Sequence, residues 1–404
     1  MTVRERPILV TTIQVNRKAA DRVGSGHPWI FSSDITDRTP TQSNKAQPGE
    51  AVMVAAPRGQ ILGVAHYSST SQIALRMLSL HPEEIGRDFF LRRLKQALAH
   101  RERVVANSTA YRWVFSEADL LPGLIVDRYA GYIVMQTLTQ GMDANRDLIA
   151  ACLDEIAQPE AILARNDANV RKLENLPLQT VVLKGEIPER VPVEMNGLTL
   201  QADLLRGHKT GIYLDQRENY LAAARHAPRN ARVLDCFSST GGFALHLAKF
   251  ANTETVDAVE SSPAALELAR ANAAANGLNQ IAFHQADVFD YLAGATRRYD
   301  MVILDPPAFA KSRRSLDDAA RGYKDINLRA LKLLAPGGVL GTCSCSHHVS
   351  EAMFLETVAA AALDAGRTLR VLERRTQAAD HPILLTVPET LYLKCVILQV
   401  VDAA

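Results

Sequence analysis

The stretch "ARVLDCFSSTGGFALHLAKFA", residues 231–251, decides the fold class predicted for this 404-residue chain. It begins with a short apolar run that contains Asp235, turns at Gly241 and Gly242, and continues as an apolar helical pattern. The same order of strand, turn and helix recurs as far as "PGGVLGTCSCS", residues 336–346. Such alternation is typical of a mostly parallel sheet with helices on both faces. We therefore predict a doubly wound α/β domain over residues 191–404.

Two further regions precede this domain. Residues 1–80 carry short β-type runs separated by Gly and Pro, with almost no helix signal, which predicts a small β-barrel. Residues 81–190 open with a helix on which Phe90, Leu94 and Leu98 form a buried stripe. Strands and one helix then alternate, which predicts a compact α+β domain. The Pro-bearing stretch "GEIPERVPVEMNG", residues 185–197, is predicted to be the linker to the last domain.

Composition excludes several classes of protein. The chain has 45 Lys and Arg against 44 Asp and Glu, so its net charge of +1 does not by itself indicate a nucleic-acid partner. No apolar run approaches the length of a membrane span, and the first residues lack a secretory signal, so we predict a cytoplasmic protein without a membrane partner. Its five cysteines are an odd number and are expected to stay reduced there. The sequence leaves the oligomeric state open, with a homodimer as one option.

Cations cluster on and beside the predicted helix that follows Pro82. They are Arg87, Arg92, Arg93, Lys95, Arg101 and Arg103. A solvated helix face and a contact with RNA are both consistent with this pattern.

Carboxylates follow or end successive apolar runs of the predicted sheet: Asp235, Glu260, Asp287 and Asp305. Ligands of doubly wound sheets bind beyond the carboxyl ends of the strands, so these side chains are expected to meet at one crevice. The glycine turn lacks the GxGxxG pattern of a dinucleotide site, which favours a nucleoside without phosphates. S-adenosylmethionine is such a ligand, with its ribose on Glu260, its adenine amine on Asp287 and its amino group near Asp235. Each carboxylate taken alone is also consistent with a helix cap or a solvated loop residue, whereas four in register are a stronger signal.

Longer motifs make the chain recognisable. They are "GHKTGIYLDQREN", "LDCFSSTGGFAL", "LDPPAF", "RGYKDIN", "PGGVLGTCSCS" and "QAADHPILLTVPETLYLK". Together they resemble the S-adenosylmethionine-dependent ribosomal RNA large-subunit cytosine-5 methyltransferases of the RlmI type. The resemblance covers nearly the whole chain, because that family also opens with a PUA domain containing "GHPWIF", here residues 26–31. It implies a Rossmann-like methyltransferase domain, S-adenosylmethionine as cofactor, a cytosine of large-subunit ribosomal RNA as target, and a PUA domain that helps to hold RNA.

The resemblance also implies binding residues. In the family, the segment that corresponds to "KTGIYLDQRENY", residues 209–220, folds over the cofactor, so Tyr213, Asp215 and Gln216 are expected contacts. Phe237 and Gly241 of the glycine turn are expected to join them. Asp215 is alternatively an ordinary helix cap.

RNA contacts are expected at two places. One is Trp29 of the "GHPWIF" element, and the other is "KSRR", where Lys311, Arg313 and Arg314 would meet phosphates beside the active-site mouth. The composition of "KSRR" is also consistent with a solvated loop.

The chemistry of the family explains why it uses a cysteine. Carbon 5 of cytosine is a poor nucleophile, but addition of a thiolate to carbon 6 makes the ring enamine-like, so that carbon 5 can accept a methyl group. Cys343 and Cys345 share one face of the strand predicted after Gly338. Cys345 lies nearer the carboxyl end, where the crevice opens, and related RNA cytosine-5 enzymes place their nucleophile seven residues past the second glycine of the turn. We predict that Cys345 is the nucleophile and that Cys343 packs in the wall.

Asp305 is predicted to lie across the target base, where a carboxylate can hold ring nitrogen 3 and the exocyclic amine. The base that removes the proton from carbon 5 is left open. Other interpretations remain: "DPP" as a stiff turn, both thiols as core packing, and "CSCSHH" as a zinc site, although its spacing is unusual for zinc and no metal is expected. Two other functions also remain, methylation of an exocyclic amine without a cysteine nucleophile, and RNA binding without catalysis.

Overall fold

A computed structural model describes residues 11–36, 46–310 and 316–401 of the chain. The chain divides into two compact units. One comprises Met1–Val105, Tyr111–Glu189 and Asp380–Thr390, and the other comprises Ala106–Ala110, Arg190–Ala379 and Leu391–Ala404. The boundaries predicted at residues 80 and 190 stay predictions.

The first unit contains a five-stranded sheet with the order β1-β3-β4-β5-β2. Its strands are β1 (Thr12–Gln14), β2 (Trp29–Phe31), β3 (Ala51–Ala55), β4 (Ile61–Tyr67) and β5 (Ile73–Ser79). The side chains of Ile30, Val52, Val54 and Leu75 are fully buried between these strands. The prediction of a β-rich N-terminal region is therefore confirmed.

The prediction that this region has almost no helix is wrong, because α1 spans Arg17–Gly24. Asn16 caps the helix by accepting a hydrogen bond from the Ala19 backbone amide at 2.8 Å. Only Ala19 and Val23 are buried on its inner face. Two buried residues among charged neighbours are too few to produce a periodic signal in the sequence.

A second five-stranded sheet of this unit has the order β10-β9-β8-β7-β6. Its elements are α2 (Arg87–Val104), β6 (Ala110–Phe115), β7 (Leu124–Tyr129), β8 (Tyr132–Thr137), α3 (Gln140–Ala144), α4 (Arg146–Ala157), β9 (Ala161–Asn166) and β10 (Gln179–Lys184). On α2, Phe90 and Leu94 are fully buried and Leu98 packs against the same core, as predicted. Trp113 donates a hydrogen bond from Nε1 to the Leu94 carbonyl at 2.9 Å, which fixes the sheet to the helix.

The stretch predicted to be a linker contains the boundary between the two units, at Glu189 and Arg190, and then continues into a β-hairpin of the second unit. Its strands are β11 (Val191–Met195) and β12 (Leu198–Ala202), which pair antiparallel. Asn196 and Gly197 connect them, both with positive φ, the backbone that tight hairpin turns require. The prediction did not include the strand that begins at Val191. A proline at the edge of a strand is tolerated, and the period-two burial of Val191, Val193 and Met195 outweighs its effect.

The main sheet of the second unit has seven strands in the order β15-β14-β13-β16-β17-β19-β18. Its strands are β13 (Arg232–Cys236), β14 (Thr255–Glu260), β15 (Ile281–Gln285), β16 (Tyr299–Leu304), β17 (Leu334–Ser344), β18 (Leu369–Arg375) and β19 (Lys394–Val400). The helices are α5 (Arg217–His226), α6 (Gly242–Phe250), α7 (Pro263–Ala275), α8 (Val288–Gly294), α9 (Leu316–Leu333) and α10 (Glu351–Asp364). The first five strands in this order are parallel, and β19 pairs antiparallel with both β17 and β18. The predicted doubly wound α/β architecture is confirmed.

The strand order places a switch point at the centre of this sheet. β13 pairs with β14 on one side and with β16 on the other, and the chain winds outward from it in both directions. Loops leave such a point in opposite directions, which opens a crevice beyond the carboxyl ends of the central strands. Among the described residues, no helix combines the length and hydrophobicity that crossing a bilayer requires.

Candidate active site

A cavity of roughly 510 Å³ lies at the carboxyl ends of the central strands. Its wall contains eight of the predicted site residues: Tyr213, Asp215, Gln216, Phe237, Glu260, Asp287, Asp305 and Cys345. Asp235 and Gly241, also predicted to bind the cofactor, do not line it. The crevice expected from the strand order therefore brings most of the predicted residues together.

Asp235 lies in β13 and is fully buried. Its Oδ2 accepts a hydrogen bond from the Ala244 amide at 2.9 Å, in the first turn of α6, while its Oδ1 has no partner among the described residues. Burial raises the pKa of this carboxyl well above its usual value. Asp235 thus anchors the start of α6 through one of its two oxygens.

The glycine turn is shaped by backbone conformation. Phe237, Ser239 and Gly241 all have positive φ, and the first two pay the steric cost of an L side chain in that region. Gly242 starts α6, where a Cβ atom would lie 2.4 Å from the Tyr220 ring. A side chain at this position would displace the ring, so glycine keeps the cavity open there.

Two carboxylates lie at the ends of adjacent strands. Glu260 ends β14, and its oxygens accept hydrogen bonds from the amides of Ser239 at 3.0 Å and Ser262 at 2.9 Å. Asp287 follows β15 and caps α8, with Oδ1 accepting from the Phe289 amide at 2.8 Å. The cap interpretation therefore holds for Asp287, although its side chain also lines the cavity.

The segment before α5 folds over the cavity. Lys209 pairs with Asp215, and the Tyr392 hydroxyl donates to Asp215 Oδ2 at 2.6 Å. The Lys209 ammonium lies 4.6 Å from the centre of the Tyr213 ring, a cation–π geometry. Asp215 is not the cap of α5, because the helix begins at Arg217 and its N-cap residue is Gln216.

Asp305 follows β16 and faces this segment. Gln216 donates a hydrogen bond from Nε2 to Asp305 Oδ1 at 3.0 Å. Burial, reinforced by the charge of Asp215, raises the pKa of Asp305 to about 7, against the opposing effects of Lys209 and Gln216. Asp305 can therefore change its protonation state near neutral pH, as a group that exchanges protons with a ligand requires.

The two neighbouring cysteines occupy different environments. Cys345 directly follows β17, lines the cavity, and lies 3.9 Å from the Pro306 carbonyl. Cys343 is fully buried within β17, where it lies opposite Cys395 of β19. Burial and the charge of Asp305 raise the pKa of Cys345 to about 11. The thiol that reaches the cavity is thus protonated at neutral pH.

Sequence reasoning missed several residues of the cavity wall: His208, Lys209, Ser238, Ser239, Thr240, Phe289 and Leu393. Most of these side chains lie in or beside motifs quoted above, but polar loop residues carry no periodic signal. The hydroxyls of Ser238 and Ser239 are buried without a hydrogen-bond partner among the described residues. Buried hydroxyls of this kind usually bind a ligand or water, so the wall fits a polar nucleoside.

Of the four predicted RNA-binding residues, the structure describes only Trp29. Trp29 is partly buried in the first unit and donates from Nε1 to Glu117 Oε1 at 2.9 Å. Lys311, Arg313 and Arg314 lie outside the described residues. On α2, Arg101 is buried and pairs with Asp119, which indicates a structural role. Arg87 and Arg92 pair with Glu155 and Glu83 at the surface, as expected for a solvated helix face. In the described part of the chain, no three His, Cys, Asp or Glu side chains cluster as a metal site would require.

Comparison with known proteins defines the class. Residues 13–80 match the model of a PUA-like domain, and residues 170–391 match that of an S-adenosylmethionine-dependent methyltransferase. In solved structures, the fold resembles a proposed S-adenosylmethionine-dependent methyltransferase from Streptococcus mutans, with a TM-score of 0.81, 20% identity, and coverage of 96% of this chain and 99% of that one. A second chain, a proposed methyltransferase complexed with SAH, aligns with a TM-score of 0.83, 20% identity and the same coverage.

Close relatives define the family. The ribosomal RNA large subunit methyltransferase I of Tolumonas auensis is 41% identical over 401 residues, which cover 97% of this chain and 100% of the relative. The protein of the same name from Shewanella amazonensis is 43% identical over 385 residues, which cover 93% and 95%. The chain therefore belongs to the ribosomal RNA large subunit methyltransferase I family, and the predicted PUA-like domain and S-adenosylmethionine cofactor are confirmed.

Proposed function

We propose that this methyltransferase acts on large-subunit ribosomal RNA and methylates carbon 5 of a cytosine through a covalent bond to Cys345. The observation that carries the proposal is the presence of the Cys345 thiol and the Asp305 carboxyl on the wall of one cavity. The names of the relatives support the RNA substrate. Methylation of an amine needs no thiol, whereas methylation of carbon 5 is assisted by one.

The cofactor is held by the loops after β13, β14 and β15. S-adenosylmethionine supplies an electrophilic methyl group on a sulfonium centre. Glu260 would accept hydrogen bonds from the ribose hydroxyls, and Asp287 from the adenine amine, with the oxygen that does not cap α8. The unpartnered hydroxyls of Ser238 and Ser239 would complete their hydrogen bonds with the same ligand.

Cys345 and Asp305 work as a pair that shares one proton. The pKa of the Cys345 thiol is about 11, and that of the Asp305 carboxyl is about 7. At neutral pH Cys345 is therefore protonated, and Asp305 is ionised in about half of the molecules. When cytosine enters, transfer of the Cys345 proton to an ionised Asp305 produces a thiolate and a protonated carboxyl. This transfer does not change the total charge of the pair. Addition of the thiolate to carbon 6 puts negative charge on ring nitrogen 3, and a protonated Asp305 can donate a hydrogen bond there. The pair therefore supplies both nucleophile and acid without changing the charge of the site.

The remaining predicted contacts concern RNA. The PUA-like domain at residues 13–80, with Trp29, would help to hold the RNA, and Lys311, Arg313 and Arg314 would bind its phosphates. These residues would strengthen RNA binding and orient the RNA, but they would take no part in the methyl-transfer reaction.

RNA that carries 5-fluorocytosine at the target position is expected to trap the enzyme. The methyl group is transferred, but fluorine occupies the place of the proton that must leave carbon 5. The thioether at carbon 6 then cannot be eliminated. The measurement is a denaturing gel of protein and labelled RNA, with and without S-adenosylmethionine. We expect an adduct that requires S-adenosylmethionine, persists in Cys343→Ser and disappears in Cys345→Ser.

Three results would contradict the proposal. An adduct that disappears in Cys343→Ser and persists in Cys345→Ser would assign the nucleophile to the other thiol. Methylation of the fluorinated RNA without an adduct would favour transfer to an exocyclic amine. No binding of S-adenosylmethionine in a calorimeter would instead indicate an RNA-binding protein without catalysis.

Glu260→Gln is expected to weaken S-adenosylmethionine binding about tenfold to a hundredfold, because a charged acceptor of hydrogen bonds contributes about 1.5–3 kcal/mol. Isothermal calorimetry measures the dissociation constant, and thermal unfolding without ligand monitors the loop that Glu260 also holds. Glu254→Gln, an exposed position just before β14, is the matched control. Equal affinities for both variants and the parent protein would remove Glu260 from the cofactor site.

A further inference from the structure

The motif "RGYKDIN", residues 321–327, contains a buried tyrosine with no role in the mechanism above. Tyr323 lies on α9 and is 1% exposed. Its hydroxyl lies 3.0 Å from Ser344 Oγ and 3.0 Å from Ser346 Oγ. These two serines flank Cys345, and both are fully buried. One phenol therefore holds the chain on both sides of the cavity thiol.

The same contacts join the thiol to the loop that carries Asp305. Ser346 Oγ also accepts a hydrogen bond from the Ala310 amide at 3.3 Å, at the end of "DPPAFA". The Tyr323 ring packs against Phe309 of that loop, with the ring centres 4.7 Å apart, and against Phe354 of α10 at 5.4 Å. The position of Tyr323 thus determines the position of Cys345 relative to the "DPPAF" loop.

A buried lysine holds the same turn from the other side. Lys394, the first residue of β19, is 6% exposed and lies opposite Ser344 in the sheet. Its Nζ donates to the carbonyls of Ser346 at 2.7 Å and Tyr392 at 2.8 Å. Neither partner is charged, so these two bonds leave the ammonium without a neutralising carboxylate. A buried ammonium without one is costly unless negative charge is nearby.

The Lys394 ammonium is stabilised by the Cys345 thiolate when that thiol ionises, and by the Glu351 carboxylate. Burial lowers the pKa of Lys394 to about 8, and its interaction with Cys345 opposes that effect. In return, the charges of Lys209 and Lys394 lower the pKa of Cys345, against burial and Asp305. The charged and titratable groups facing the two side chains are Lys209, Asp215, Asp305, Tyr213, Tyr323, His347 and Glu351.

We propose that Tyr323 and Lys394 are positioning residues for the proposed nucleophile, with Tyr323 fixing the turn Ser344–Ser346 and Lys394 adding a positive charge that stabilises the thiolate. The catalytic part of this inference rests on the proposed function. The effect of Lys394 on ionisation of the Cys345 thiol does not depend on it. The two residues contact the same serine from different elements, and only Lys394 carries charge. Their roles are therefore separable by mutation.

The reactivity of Cys345 tests the role of Lys394. Methyl methanethiosulfonate is a small neutral reagent that reacts with thiolates, and the other four cysteines are at most 1% exposed. Lys394→Met keeps the aliphatic volume and removes the charge. We expect it to react about three- to tenfold more slowly than the parent protein at pH 7. The difference should shrink as the pH rises through about 8, because Lys394 then loses its own proton.

Tyr323→Phe is the matched variant for positioning without charge. It keeps the ring packing and removes the hydroxyl, so the modification rate of Cys345 should stay within about twofold of the parent rate. Methyl transfer at saturating substrates should fall about tenfold or more, with little change in S-adenosylmethionine affinity. Cys345→Ala provides the blank for modification, and thermal unfolding confirms that each variant is folded.

Several outcomes would overturn the inference. A folded Lys394→Met protein with the parent modification profile would show that its charge does not reach the thiol. If that variant does not fold, Lys394→Gln keeps a donor for the carbonyls without the charge and must show the same slowing. Unchanged methyl transfer in Tyr323→Phe would remove the positioning role. If Cys345→Ala retains methyl transfer, the proposed function fails, while the modification experiment still reports on Lys394.

Discussion

Replacing Cys345 with alanine is expected to lower the rate of RNA methylation by a factor of about 10³ or more, because carbon 5 of cytosine is then no longer activated by addition at carbon 6. The Cys345 thiol contacts the Pro306 carbonyl in the loop after β16, so its removal should leave intact the loops after β13, β14 and β15 that we propose to bind the cofactor. Affinity for S-adenosylmethionine should therefore stay within about threefold of the parent value. The measurement is single-turnover transfer of labelled methyl groups to large-subunit ribosomal RNA from cells lacking the enzyme.

Cys343→Ala is the matched control for this experiment. Cys343 is fully buried against Cys395 and lies outside the cavity wall, so its truncation should lower stability by about 1–2 kcal/mol while the transfer rate is retained. Full turnover in Cys345→Ala would show that the nucleophile is wrongly assigned. A comparable loss of transfer rate in both variants would indicate that activity depends on the packing of β17 and not on the Cys345 thiol itself.

Asp305→Asn is expected to lower methyl transfer about 10²- to 10³-fold at pH 7.5 and to change the shape of the pH profile. In the parent protein the active state carries one proton on the Cys345–Asp305 pair. Below about pH 7 both groups are protonated, so the rate should rise with pH up to that value and then level off until the thiol itself titrates. In the asparagine variant only the thiol titrates, so the rate should continue to rise above pH 8.

The control for Asp305 is Asp317→Asn, an exposed carboxylate in the first turn of α9. It should keep both the rate and the plateau of the parent profile. Single-turnover rates from pH 5.5 to 9.5 provide the measurement, with S-adenosylmethionine binding as a check on the cavity. If the rate of the Asp305→Asn variant also reaches a plateau near pH 7, the titration near pH 7 in the parent profile belongs to another group.

The sequence alone determined the architecture of the second unit and the identity of its cofactor. Strands, turns and helices alternate there, and each apolar run ends in a polar side chain. Both patterns can be recognised within a window of about ten residues. Because parallel strands share one carboxyl end, Glu260, Asp287, Asp305 and Cys345 could be placed at one crevice without coordinates. Extended motifs then indicated the family, which the relatives confirm.

Tertiary structure alone decided what surrounds the two proposed catalytic groups. The Tyr392 hydroxyl reaches Asp215 across 177 positions of sequence, and Gln216 reaches Asp305 across 89. The sequence left Asp215 between a cofactor contact and a helix cap, and it did not indicate that Asp235 is fully buried, because local patterns carry no information on burial by distant strands. The strand β19, which brings Lys394 beside the turn of Cys345, pairs antiparallel in a sheet predicted to be mostly parallel. Hydrogen bonds and burial that set the pKa of a side chain depend on such long-range neighbours, and only the folded chain brings them together.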